Sequence, residues 1–454
     1  MARTSFLIEE CAWAVDPLEL HALAPERYPV LLQSAAHGAQ TGRWDILMAG
    51  PGERISGDDG FLARLDAAWS EAGGRRRASP PEHDRDAPPF SGGWFIYLDY
   101  ELAAEIEPRL VLPPRHALRA QAVRMHGALI RDHRERRAWL CAEAGADALL
   151  RDLRRDHARA AARADAAYDD ALPALTLDEA PADEYRRGVR TALEHIGAGD
   201  VFQVNLSRAW RGRFASPPDA VRLYRRLRDR NPGPFAGLAR VDGGTIVSSS
   251  PERLLSVSGA EVQTRPIAGT RPRGADAAGD RRHRRALRAS PKERAEHVML
   301  IDLERNDLGR ICAGGSVRVD EFMVMEAYAH VHHIVSNVRG TLRDDVSPGD
   351  TIAALFPGGT ITGCPKVRCM EIIAALENEA RGPYTGSMGW LGHDGRMDLN
   401  ILIRTLVLQG DAVSLRAGAG IVADSDPDRE LAETRSKARG LLLALGEEAA
   451  DVVD

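Results

Sequence analysis

Residues 416–445 read "RAGAGIVADSDPDRELAETRSKARGLLLAL". The spacing predicts a strand, then a glycine-rich bend, then a long helix entered near Asp426-Pro427. The same alternation recurs upstream. "ADEYRRGVRTALEHIGAGD" (182–200) is an amphipathic helix ending at Gly197 and Gly199, and "VFQVNLSRAW" (201–210) alternates like a strand. "TIVSSSPERLLSV" (245–257) is two strands about a turn at Pro251. "SPKERAEHVMLIDLERND" (290–307) opens with Ser290 as N-cap, Pro291 at the first helical position and Glu293 in the capping-box place. "MDLNILIRTLVLQGD" (397–411) is an apolar strand carrying one arginine. Strands and helices thus interleave throughout the second half, which makes the chain a mixed α and β protein.

The first half is less regular. Strands are expected at "RWDILMAGPG" (43–52) and "GGWFIYLDY" (92–100), and a helix within the Ala/Arg/Asp-rich run 142–171. The Pro- and charge-rich stretch 72–90 is expected to be a mobile excursion, and "LPALTLDEAPADEY" (172–185) a connector. With 454 residues the prior is two units, 1–170 and 180–450. Apolar residues make up 44% and charged residues 28%, as in ordinary soluble chains, and the net charge of −6 gives no footprint for nucleic acid. The five cysteines are scattered without a CxxC pair, and no apolar run approaches the roughly 20 residues that span a bilayer. A cytoplasmic protein with no nucleic-acid or membrane partner is expected.

Several groups carry chemistry. Glu293/Glu296 and Glu430/Glu433 each place two carboxylates on one helix face. Solvent explains either pair alone; brought together, the two pairs would offer the hard oxygen ligands that suit Mg²⁺. Arg404, inside apolar sequence, is either a buried salt bridge or a grip on a ligand carboxylate. The "RAGAG" backbone is either an anion nest or a tight bend. "PIAGTRPRG" (266–274) has Pro and Gly about Ala268 and three arginines nearby, and is expected to be a shaped loop rather than a regular strand. Glu252, in its turn, and His332 or His333 are acid/base candidates. No nucleophile elbow or HExxH motif supports hydrolysis. The residues together suggest an Mg²⁺-assisted enzyme acting on a small polycarboxylate.

Ten motifs then fall in the order seen in chorismate-utilising enzymes, among them "GDVFQVNLSR", "QTRPIAGTRPRG", "KERAEHVMLIDLERNDLGRIC", "FPGGTITGCPKVRCMEII", "GPYTGSMGW" and "ELAETRSKA". The chain resembles that family densely over 185–445 and more weakly before. The resemblance implies an α+β fold, a large sandwich of two sheets flanked by helices with the site deep between them, residues 1–170 forming the N-terminal part and 180–450 the chorismate-binding catalytic domain. It implies Mg²⁺ on Glu296 and Glu433 with Glu293 and Glu430 nearby, and Tyr384 and Arg404 on the enolpyruvyl carboxylate. Gly269, Thr270, Gly418, Ala419, Gly420 and Lys437 would surround the ring carboxylate. Glu252 resembles the general acid and His333 the family's site histidine.

Departures from the family pattern sort the outcomes. Relatives that add water carry a lysine base where Gln203 stands, so ammonia is the implied nucleophile, supplied by a separate glutamine amidotransferase subunit. Aminodeoxychorismate synthases often carry a lysine at the position of Ala268, whereas anthranilate synthases do not. "QVNLSR" with Asn205, Gln263, and Leu31-Leu32-Gln33-Ser34 in place of the LLES of tryptophan-regulated anthranilate synthases resemble the aminodeoxychorismate synthase large subunit. The implied activity is amination of chorismate at C4, towards 4-aminobenzoate and folate. The alternatives are an anthranilate synthase and a non-catalytic subunit of the same fold.

Overall fold

The computed structural model describes residues 6–36, 42–57, 59–76, 88–114, 120–163, 170–274, 276–327 and 331–447. Two 13-residue strands, Trp44–Ser56 and Ala120–Asp132, form the seam of the fold. The first half of Ala120–Asp132 pairs with Gly93–Leu98 and its second half with Arg137–Glu143, while Trp44–Ser56 follows its other edge. From this seam two curled sheets diverge, and the strand pairing among the described residues is antiparallel.

One sheet continues from Trp44–Ser56 through Val30–Gln33, Phe235–Val241, Gly244–Ser250, Thr405–Gln409 and Ala412–Ile421 to Gln203–Phe214. The other continues from Gly93–Leu98 through Ser387–Gly392, Met397–Asn400, Arg253–Ser258 and Glu261–Thr264 to Val331–Thr341. Phe95, Met125, Met48, Ala239, Met388 and Trp390 pack between them. Helices Phe61–Glu71, Pro291–Gly309 and Pro348–Leu355 cover the outer face of the second sheet. Pro17–Leu23, Asp147–Ala161, Ala220–Arg230 and Pro427–Leu445 cover that of the first. The fold is α+β, a two-sheet sandwich between helices, as expected. Strands from before residue 170 pair directly with strands from after 180, as Val30–Gln33 does with Phe235–Val241.

Local expectations changed in five places. The connector 172–185 contains a strand, Leu175–Glu179, paired with Gln203–Phe214. The apolar run 397–411 is two strands, because the chain changes sheets between Asn400 and Thr405. "RAGAGI" does not bend; it is the end of Ala412–Ile421. "IAGTRP" is a strand, Ile267–Pro272, with its register shifted between Ala268 and Thr270 about Gly269, whose φ is 71°. Ser290 accepts the N–H of Glu293 as a cap, but the Glu293 carboxylate turns to Arg271 (3.3 Å). Residues 77–87 of the expected excursion lie outside the described residues.

Candidate active site

The chain crosses between the sheets at two adjacent points, and both carry predicted residues. Pro251-Glu252 joins Gly244–Ser250 to Arg253–Ser258, and Ile401–Arg404 joins Met397–Asn400 to Thr405–Gln409. Hydrogen bonds hold the crossings together: Ile401 N–H donates to the Glu252 carbonyl (3.0 Å), and Ser250 Oγ donates to the Ile401 carbonyl (2.5 Å). Arg404 takes φ 53°, a left-handed conformation that costs a non-glycine residue of order 1–3 kcal/mol. Its guanidinium makes no hydrogen bond or ion pair among the described residues, and burial lowers its pKa.

Glu252 is buried, and burial raises its carboxyl pKa to about 7. The Thr360 hydroxyl donates to its Oε1 (2.7 Å) and the Ile267 N–H also reaches it; both bonds, with the charge of Lys437, only partly offset the burial. Such a carboxyl group keeps its proton to far higher pH than one in water does. His333 lies across from Thr270 in the ladder, with Nδ1 3.3 Å from the Gly269 carbonyl. Burial, reinforced by Arg404, lowers its pKa to about 4, so it is a neutral imidazole. His332 instead pairs with Asp280 (2.8 Å). Ala268 is buried opposite Ile334; the side chain of Thr270 lies outside what is described.

The expected glycine nest is a strand edge. Gly418 pairs with Ser207 and Gly420 with Asn205, yet the N–H of Ser207 goes to Glu377 and that of Asn205 to the Thr362 carbonyl. Both are therefore non-hydrogen-bonded pairs, and the peptide groups of Gly418 and Gly420 face the opposite edge of the strand. There Lys437 Nζ donates to the Gly418 carbonyl (3.0 Å). A methyl group on Gly418 would come within 2.7 Å of the Tyr384 hydroxyl, and one on Gly420 within 2.3 Å of Gln203 Nε2. Ala419, between them, packs into the core with Val204 and Leu206 and does not face this space.

Gln203 and Asn205 project from the same face of Gln203–Phe214. Gln203 Nε2 donates to Glu296 (3.0 Å). Its Oε1 and the Oδ1 of Asn205 are buried without a hydrogen-bond partner among the described residues. Beyond them the helices Pro291–Gly309 and Pro427–Leu445 bring the two carboxylate pairs together. Burial and then the charge of Glu293 raise the Glu296 pKa to about 7, with Glu433 adding to it. Burial and Glu433 also raise that of Glu430. Burial works the same way on Glu433, but Lys437, 2.8 Å away, outweighs it and holds that carboxyl below the usual range. Among the described residues no three His, Cys, Asp or Glu side chains already converge on a metal-sized point.

Beneath Tyr384 lies a set of groups that sequence reasoning missed. Glu377 binds Arg381 (2.6 Å) and Arg416 (2.8 Å), and takes the N–H and hydroxyl of Ser207. The Arg381 guanidinium lies 5.6 Å from the Tyr384 ring centroid. Thr360 was missed as well. Its partner lies 108 residues away in sequence, and a hydroxyl in a glycine-rich turn carries no local signal.

Residues 29–443 match the family described as chorismate binding enzyme. The chain is 38% identical over 443 residues to aminodeoxychorismate synthase component 1 of Bacillus subtilis, covering 92% of each chain. It is equally 38% identical over 460 residues to anthranilate synthase component 1 of Thermus thermophilus, covering 94% of this chain and 95% of that one. The crystal structure of anthranilate synthase component I from Streptococcus pneumoniae superposes with a TM-score of 0.76 at 29% identity, over 89% of this chain and 93% of its own. On the family match and these relatives, the chain belongs to the chorismate binding enzymes.

Proposed function

We propose that the chain is the large subunit of an aminodeoxychorismate synthase, taking chorismate and ammonia to 4-amino-4-deoxychorismate, with ammonia delivered by a separate glutamine amidotransferase subunit. One observation carries the choice of nucleophile: the unpartnered amide oxygens of Gln203 and Asn205 on one strand face. Two buried acceptors suit a nucleophile rich in N–H donors, and neither amide can take a proton from water as a lysine would.

The remaining roles follow from the chemistry of each group. The enolpyruvyl carboxylate pairs with Arg404 and the Tyr384 hydroxyl. The ring carboxylate meets the N–H groups of Gly418 and Gly420 and the Lys437 ammonium, with Gly269 and Thr270 forming the nearby wall. Glu252, protonated, gives its proton to the C4 hydroxyl as the C4–O bond breaks and water leaves. The C–N bond forms with ammonia held by Gln203 and Asn205, and the proton that ammonia sheds restores the acid. Neutral His333 orients the substrate beside Gly269. The four glutamates fit Mg²⁺: they are hard oxygen donors from two helices, and their mutual repulsion calls for a cation. Glu296 and Glu433 would hold it, with Glu293 and Glu430 as outer or water-mediated partners, and when bound it supplies a Lewis acid for the ring carboxylate.

A second reading, anthranilate synthase, is favoured by Ala268, which leaves no lysine in the "PIAGT" strand, and by relatives of that name. The two separate in one assay. Purified protein is given chorismate, Mg²⁺ and ammonium, with and without an aminodeoxychorismate lyase. 4-Aminobenzoate appearing only with the lyase is the expected result; anthranilate fluorescence without lyase would replace the first reading by the second. Unconsumed chorismate would leave neither.

A further inference from the structure

A second buried carboxyl group lies behind the acid. Glu304, on Pro291–Gly309, is 4% exposed and takes a hydrogen bond from Thr264, the last residue of Glu261–Thr264. On its other side it abuts Gly359, where an added Cβ would sit 3.2 Å from Glu304 Oε1. Each neighbour lies within three residues of a group that holds Glu252. Thr360, next to Gly359, donates its hydroxyl to Glu252 Oε1 (2.7 Å). Ile267, three residues after Thr264, donates its N–H to the same carboxyl group.

We infer that Glu304 is a positioning residue for Glu252: it fixes, from behind the site, both segments whose donors aim the acid. The inference rests on the reading of Glu252 as the acid of a chorismate enzyme. A purely structural ion pair would be expected to engage the nearby ammonium, but Lys366 binds the next carboxylate of the helix, Asp307 (2.5 Å), instead. The charged and titratable groups about Glu304 are Asp307 on its own helix, Lys366 from Lys366–Glu377, and Glu252 at the sheet crossing. Those about Glu252 are Glu304 and Lys437. The charge on Glu252 raises the pKa of Glu304, whereas the groups that hold the pKa of Glu252 down against its burial are the Thr360 hydroxyl, the Ile267 N–H and Lys437. Misplacing the two donors therefore moves the Glu252 titration to higher pH.

Glu304→Gln and Glu304→Ala test this against Glu252→Gln. The Glu252 carboxyl is followed by its infrared C=O band, assigned as the band lost in Glu252→Gln, over a pH series without substrate. The midpoint is expected to rise in Glu304→Ala and to stay near the wild-type value in Glu304→Gln, which keeps the acceptor for Thr264. In Glu304→Ala, which frees the two segments, kcat should drop about 100-fold, the scale of a small misplacement of a reacting group, with KM for chorismate within a factor of about two. Glu304→Gln should recover most of that loss. An unchanged midpoint in Glu304→Ala, or variants that lose thermal stability while kcat per folded enzyme stays at the wild-type value, would overturn the inference. The infrared titration needs no turnover, so failure of the wild type to consume chorismate would count against the functional reading and leave this test standing.

Discussion

Glu252 acquires its chemistry from its place rather than its identity. A carboxyl group in water is ionised well below neutral pH, whereas burial between two sheets raises this one to about 7. As the proposed general acid it is active in its protonated form, so kcat should hold below pH 7 and fall as pH rises through it. Glu252→Gln should lose roughly 100- to 10,000-fold in kcat, the usual worth of a general acid, and lose that pH dependence too. In the proposed reaction Gln203 and Asn205 act on the other reactant. Gln203→Ala or Asn205→Ala should raise the KM for ammonium about tenfold, one hydrogen bond's worth, while changing that for chorismate much less; equal changes in both would detach these amides from the nucleophile. At this scale the sequence was informative wherever a residue type stood out against its surroundings. Arg404 in apolar sequence and the paired glutamates were visible in that way. Thr360, Glu304 and the unpartnered oxygen of Asn205 were not, because their meaning depends on contacts between distant segments.

Elements explain why the arginine and glycine stretches looked like something else. A strand that changes sheets needs a break, and Arg404 occupies it with a positive φ; apolar periodicity shows the two strands but not the crossing between them. "PIAGTRPRG" has the composition of a turn, yet Gly269 needs its glycine for a bulge in a paired strand. Gly269→Ala would put Cβ 2.9 Å from Glu293 Oε2 at φ 71°. A loss of about 1–2 kcal/mol is expected from the left-handed conformation alone, read from the denaturant midpoint. Glu377 joins three elements: Lys366–Glu377, which carries it, Gln203–Phe214 through Ser207, and Ala412–Ile421 through Arg416. Glu377→Ala leaves two buried guanidinium groups without their shared carboxylate and should cost about 3–5 kcal/mol. A cost under about 1 kcal/mol would mean that water reaches them.

The whole molecule sets the site between two sheets that share a seam, and surrounds it with uneven charge. The chain carries a net −6, yet residues 271–294 hold nine arginines and lysines against three acids. Arg284, Arg285 and Arg288 are exposed on Ala277–Ala289, the helix whose Leu287 packs at Gly269. A cationic rim should draw in a dianionic substrate. Reversing those three arginines to glutamate should lower kcat/KM for chorismate about tenfold at low ionic strength, an effect that disappears near 1 M salt, where the screening length is about 3 Å. The two-sheet architecture was legible through the ordered motifs, but the sharing of strands across residue 170 was not, since pairing between distant segments leaves no periodicity of its own. The proposed reaction at this site joins ammonia to chorismate. Mass spectrometry of the product formed from chorismate and ¹⁵N-ammonium with Mg²⁺ addresses it most directly. One ¹⁵N in a product that keeps its enolpyruvyl group is the predicted result; a product that contains no ¹⁵N, formed by addition of water, would contradict it.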